Sequence, residues 1–145
     1  AQMHDVGKIH TPSEILRKPG PLTSEERMEM EKHTLQGEKI LGDAPKLAMA
    51  RNIASAHHEN FDGSGYPRGL KGAEIPLEAA IVKIGDVYDA LRSDRPYKKA
   101  LPHHEAVEII LFSNGWIKPT HFNPTILEHF TREAKAFDAI YESLI

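Results

Sequence analysis

Nine histidines are the outlier among these 145 residues, and several of them stand beside carboxylates. His4-Asp5 is followed by Gly7 and Lys8. His33 comes next. His57-His58-Glu59 then leads into Phe61-Asp62-Gly63-Ser64-Gly65-Tyr66-Pro67, and Asp86 follows, with Asp89 one turn later. Imidazole is the commonest metal ligand and the side chain that titrates near neutral pH. Asp86 sits in a stretch that is apolar over most of its circumference (Ala79, Ala80, Ile81, Val82, Ile84, Val87), so part of its face is expected to be buried. A buried carboxylate without a cation or proton is costly. A divalent metal shared between imidazoles and carboxylates from several helices resolves that cost. A nitrogen–oxygen donor set without sulfur suits iron, manganese, zinc, nickel or cobalt.

Taken singly, each stretch has an ordinary explanation. Asp86 could pair with Lys83 or Arg92 at the surface, a contact worth little. Asp62-Gly63-Ser64-Gly65-Tyr66-Pro67 could be only a turn. His10, His103, His104 and His129 read as unremarkable side chains with no direct role.

The elements that must position these groups read as all-α. Residues 1–8 read as the end of a helix, and Pro12–Arg17 as a single helical turn closed by Lys18-Pro19-Gly20-Pro21. Thr23-Ser24-Glu25-Glu26 is a capping box, and one helix is expected from there to about Leu41, stopped by Gly42. Met30, His33, Gly37, Ile40 and Leu41 share its inner face. A second helix is expected over 46–58, with Leu47, Ala50, Ile53, Ala54 and His57 on one side. The connector that follows carries Gly63, Gly65, Pro67, Gly69 and Gly72, and a loop of that length in a compact domain is functional or disordered. Its aromatic and acidic residues favour an ordered, functional loop at about 59–76. Leu77 to about Leu91 is strongly helical, with Ile81, Ile84, Tyr88 and Leu91 as the buried stripe. Helices at 104–113 and 124–144 complete a single domain, the last packing through Ile126, Leu127, Phe130, Phe137, Ile140 and Tyr141.

Composition narrows the function. Lys and Arg total 18 against 21 Asp and Glu, a balance that argues against a nucleic-acid sleeve or a polybasic membrane patch. No apolar run approaches a membrane span. Without cysteine, thiolate zinc sites, iron–sulfur clusters and cysteine nucleophiles are excluded, and a cytoplasmic setting fits.

The order of the motifs is similar to that of the HD-GYP domain, a bacterial branch of the HD metal-dependent phosphohydrolases. The resemblance is carried by His4-Asp5-Val6-Gly7-Lys8, His33, His57-His58-Glu59, Asp62 to Pro67, and Asp86-Val87-Tyr88-Asp89-Ala90-Leu91. It extends to Lys18-Pro19-Gly20-Pro21-Leu22-Thr23, Arg68-Gly69-Leu70-Lys71-Gly72 and Ser93-Asp94-Arg95-Pro96-Tyr97-Lys98, and so runs from His4 to about Phe130.

The resemblance implies an HD-type helical bundle that hydrolyses cyclic di-GMP to linear pGpG and in some members to GMP. It implies two or three divalent transition metal ions, iron or manganese first. It assigns metal ligation to His4, Asp5, His33, His57, His58 and Asp86, and catalysis to Asp5 and Lys8. It assigns phosphate contact to Lys8, Arg95 and Lys98, and partner contacts, including diguanylate cyclase (GGDEF) domains, to Gly65, Tyr66 and Pro67. Such domains commonly follow a sensor or receiver domain. They also carry helices before the HD dipeptide that add a histidine, and in some members a glutamate, to the cluster. With His4 so near the first residue, the resemblance implies an N-terminally incomplete domain, short of those ligands, weak in isolation and open to homodimerisation. An inactive signalling module and a phosphohydrolase of another cyclic dinucleotide are the competing readings. Asn123, where many members carry Asp, is expected to cap the last helix equally well.

Overall fold

The computed structural model describes residues 2–145, with Ala1 outside the described residues. Seven α-helices follow in order among them: α1 (Ser13–Leu16), α2 (Ser24–Glu31), α3 (His33–Leu41), α4 (Ala48–Ala56), α5 (Leu77–Arg92), α6 (His103–Phe112) and α7 (Pro124–Leu144). The all-α expectation holds.

Residues expected to end a helix instead form a turn followed by a 3-10 helix, Val6–His10. The cause is a close crossing. A Cβ on Gly7 would lie 1.8 Å from the His33 carbonyl oxygen and 2.5 Å from the Gly37 nitrogen. Only a backbone without side chains lets this turn lie directly on α3, and the crossing carries His4 and Asp5 to the His33 end of that helix.

The capping box is present as expected: the Glu26 amide donates to Thr23 Oγ1 at 3.2 Å and the Thr23 amide to Glu26 Oε2 at 2.8 Å. The single helix expected to Leu41 is, however, interrupted at Lys32. His33 Nδ1 takes the Met30 carbonyl at 2.7 Å, and Thr34 Oγ1 takes that of Glu31 at 2.9 Å. Side chains thus consume acceptors that a continuous helix would give to amides.

Helix α5 is the spine. One face buries Ile84, Tyr88 and Leu91 against Ala106 and Ile110 of α6, Phe122 just before α7 and Phe130 within it. Tyr88 meets Phe130 and Phe137 edge-on, with ring centroids 6.0 and 5.6 Å apart. Arg92, buried on the same helix, donates to Asp138 and Glu142 and fastens the far end of α7. Asn123 caps α7 by accepting from the amides of Thr125 and Ile126. Three residues expected inside lie outside: Ile40, Ile81 and Ile140 are exposed. Their spacing matches the buried stripes, but among the described residues no element covers those arcs.

The 59–76 connector is ordered by one buried acid. Glu59, 1% exposed, accepts from the Arg68 amide at 2.7 Å and the Leu70 amide at 3.0 Å. Both of its oxygens are thus used to close the loop.

Candidate metal centre

His33 and His57 are built alike. The Nδ1 of His33 faces the Met30 carbonyl; that of His57 faces the carbonyls of Ile53 and Ala54 at 3.0 and 3.1 Å. Those acceptors hold the ring proton on Nδ1 and leave Nε2 with a bare lone pair. The two Nε2 atoms lie 3.5 Å apart. Asp5 Oδ1 lies 3.4 Å from one and 3.6 Å from the other. That oxygen is buried with no hydrogen-bond partner.

Three lone-pair donors facing one another without a proton is an unstable arrangement unless a cation lies between them. The donor set therefore fits a divalent metal. Asp5, His33, His57 and His58 form one group whose ligand atoms lie within 4.8 Å of one another; His4, His57 and Asp86 form a second that shares His57. All six residues expected as ligands are brought together. His4 Nε2 bridges the two carboxylates, 3.5 Å from Asp5 and 3.4 Å from Asp86.

The electrostatics agree. Burial works to raise the Asp5 carboxyl; hydrogen bonds from His33 and His57 rings protonated at Nε2, with the Lys8 ammonium, outweigh it and hold it well below the usual carboxylate range, and with Nε2 bare a bound cation would take that role. Burial, then the neighbouring His57 and His33, push His58 down to about 2, so its ring is neutral and can donate a lone pair. Burial also opposes ionisation of Asp86, and the hydrogen bond from His4 with the surrounding imidazoles reverses that.

The cluster opens into a cavity of about 420 Å³ lined also by Lys8, Lys83, Arg95 and Lys98. Lys8 Nζ sits 2.7 Å from Asp5 Oδ2. Lys98 Nζ is anchored on the carbonyls of Ala90 and Leu91, and the Arg95–Lys98 turn is pinned by reciprocal backbone bonds of 2.7 and 3.0 Å. Gly65 lets the loop fold back on His58, since a Cβ there would meet the His58 carbonyl at 2.5 Å. The Tyr66 ring then stacks on His58, centroids 4.8 Å apart and planes 18° from parallel. Tyr66 is thus in contact with the cluster, and Pro67 beside it is half-buried.

Two residues of this site escaped the sequence reading. Glu59 was visible only as the third letter of a motif. Lys83 read as a surface partner for Asp86; it is buried, and burial lowers its pKa to about 8 against the pull of Asp86, Glu59 and Asp62. Of the remaining histidines, His103 bonds the Tyr88 hydroxyl at 2.8 Å and His129 contacts Arg132, both far from the cluster.

A mixed imidazole–carboxylate cluster of this kind could hold a divalent metal ion. The chain belongs to the HD domain family, which matches residues 1–121. It is 44% identical over 145 residues to a probable cyclic di-GMP phosphodiesterase of Vibrio cholerae, covering 94% of this chain and 32% of that protein. It is 43% identical to a cyclic di-GMP phosphodiesterase of Thermotoga maritima, covering 97% of this chain and 38% of the relative. It is also 40% identical to a 3′3′-cGAMP-specific phosphodiesterase of Vibrio cholerae, over 98% of this chain and 27% of that protein. The chain thus spans about a third of the length of these curated relatives. Among the described residues no helix is long and apolar enough to cross a membrane.

Proposed function

We propose that the protein hydrolyses cyclic di-GMP with the help of two or three divalent transition metal ions, iron or manganese before zinc, nickel or cobalt. The observation that carries this reading is the buried, unpartnered Asp5 Oδ1 between the bare Nε2 atoms of His33 and His57. His4, Asp5, His33, His57, His58 and Asp86 would hold the ions. When bound, such ions supply Lewis acidity toward a phosphate oxygen and lower the pKa of water.

The protein's own groups do the rest. Asp5 and Asp86 stay ionised and act as ligands, and no side chain acts as nucleophile. Lys8, resting on Asp5, presents an ammonium where phosphate charge builds. Arg95 can hold two phosphate oxygens in a fork, with Lys98 as a point charge beside it. Water adds to phosphorus, the P–O3′ bond breaks, and the departing oxygen gains a proton, leaving a linear dinucleotide with a 5′ phosphate.

The test is anaerobic incubation with Fe(II) or Mn(II), reading pGpG by chromatography and bound metal by elemental analysis. Asp5→Ala should lose turnover and metal uptake together; retention of both overturns the assignment. A second reading, another cyclic dinucleotide as substrate, is favoured by the similarity to 3′3′-cGAMP-specific relatives. A side-by-side rate comparison separates the two. The same proposal includes a cytoplasmic address, an upstream sensor or receiver domain, and contact with diguanylate cyclase domains through the Gly65-Tyr66-Pro67 loop.

A further inference from the structure

Lys83 is 9% exposed, and its side chain lines the cavity that holds the metal cluster. Among the described residues it makes no hydrogen bond or ion pair. The carboxylates nearest to it are engaged elsewhere. Glu59 is committed to the Arg68 and Leu70 amides, Asp62 to Ser64 and Thr120, and Asp86 to His4. Its unused donors face the cavity, where an acceptor on a ligand can take the place of water.

The position of Lys83 along α5 says which acceptor. Arg95 and Lys98 gather at the C-terminal end of the helix, where Lys98 is anchored on Ala90 and Leu91. Asp86, with Asp5 and Lys8, marks the middle. Lys83 lies seven residues before Ala90, roughly 10 Å along the axis at 1.5 Å per residue. Cations therefore already stand at the cluster and at the C-terminal pole, and each group could take one phosphate of a cyclic dinucleotide. Lys83 lies on the other side of Asp86, one turn away, where a cyclic dinucleotide with its phosphates on those two groups would bring a base. Asn114, which also lines the cavity, has its Oδ1 taken by the Trp116 and Ile117 amides, so it too has only donors to offer.

We infer that Lys83 is a specificity-determining residue that selects guanine through the acceptor edge of the base. Guanine presents O6 and N7, both acceptors; adenine presents N7 beside an N6 amino donor. Adenine keeps N7 but replaces the second acceptor with a donor that opposes the ammonium, a repulsive element against the wrong base.

This inference rests on the cavity being a cyclic-dinucleotide site, and the test separates the two. Equilibrium dialysis of cyclic di-GMP and cyclic di-AMP against EDTA-treated protein gives one ratio; kcat/KM for the two with Mn(II) gives another. The unaltered protein should favour cyclic di-GMP by about 10-fold to 100-fold, the range of a base-edge contact. Lys83→Met should lose most of that preference by weakening cyclic di-GMP alone, and Lys83→Arg should keep it. Equal weakening of both ligands by Lys83→Met makes Lys83 a phosphate contact and overturns the inference, as does an unchanged ratio. Protein that neither binds nor hydrolyses either dinucleotide overturns the cyclic-dinucleotide reading itself.

Discussion

Replacing Lys83 by methionine should stabilise the folded protein at neutral pH. The ammonium is buried in α5, and its pKa falls from 10.5 to about 8, chiefly by desolvation and net of the attraction of Asp86, Glu59 and Asp62. Keeping the charge there costs about 3 kcal/mol relative to the free amine. Methionine has similar reach and no charge, and imperfect packing takes back part of the gain. Lys83→Met should therefore be more stable by about 1–3 kcal/mol at pH 7. The sign of the pH dependence follows from linkage. Between pH 8 and 10.5 the unfolded chain holds the Lys83 proton more firmly than the native state. The original protein therefore gains stability as pH rises through that window, and the variant does not. The gap should close by about 2 kcal/mol between pH 7 and pH 9.5. Urea unfolding of both proteins with EDTA present, at the two pH values, gives the double difference. A variant less stable at pH 7, with a gap indifferent to pH, would mean that the folded protein already satisfies this ammonium. The inference about guanine would then lose its basis.

Three further changes probe the supports of the cluster. Glu59→Gln should cost about 2–3 kcal/mol, because an amide can accept from only one of the Arg68 and Leu70 nitrogens and turns a donor on the other; hydrogen exchange at those two amides should speed up while α6 and α7 stay protected. Gly7→Ala drives a Cβ to 1.8 Å from the His33 carbonyl and should lower stability by more than about 2 kcal/mol, read as a fall in the urea midpoint. Tyr66→Leu removes the ring stacked on His58 and should weaken Mn(II) affinity by about 10-fold, the scale of losing a support behind a ligand. Tyr66→Phe keeps the ring and should titrate like the original; equal loss in both would shift the role to the hydroxyl.

The motifs were legible because each ligand sits within a short run whose neighbours serve the same site. His57 and His58 follow α4 directly, Asp5 stands just before the Gly7 crossing, and Asp86 lines the cavity from α5. The capping box and the span of α7 were legible for local reasons: Thr23 and Glu26 satisfy each other, and Asn123 with Pro124 starts a helix under its own chemistry. The break at Lys32 was not, because its cause is tertiary. His33 must turn Nε2 toward Asp5, and the Met30 carbonyl that orients the ring is withdrawn from the helix. Ile40, Ile81 and Ile140 show the same limit from another side. Periodicity identifies an apolar arc, whereas burial depends on what packs over it. Lys83 is the sharpest case. Three residues before Asp86 on a helix, a lysine reads as half of a solvated pair. In the folded protein its side chain is largely buried and has no hydrogen-bond or ion-pair partner among the described residues. Glu59, one of the acids that attract Lys83, is committed to two backbone amides of the 59–76 loop instead. The bonds that order the loop thus withdraw one acid from Lys83, as His4 withdraws Asp86, a relation between distant segments that no window of sequence contains.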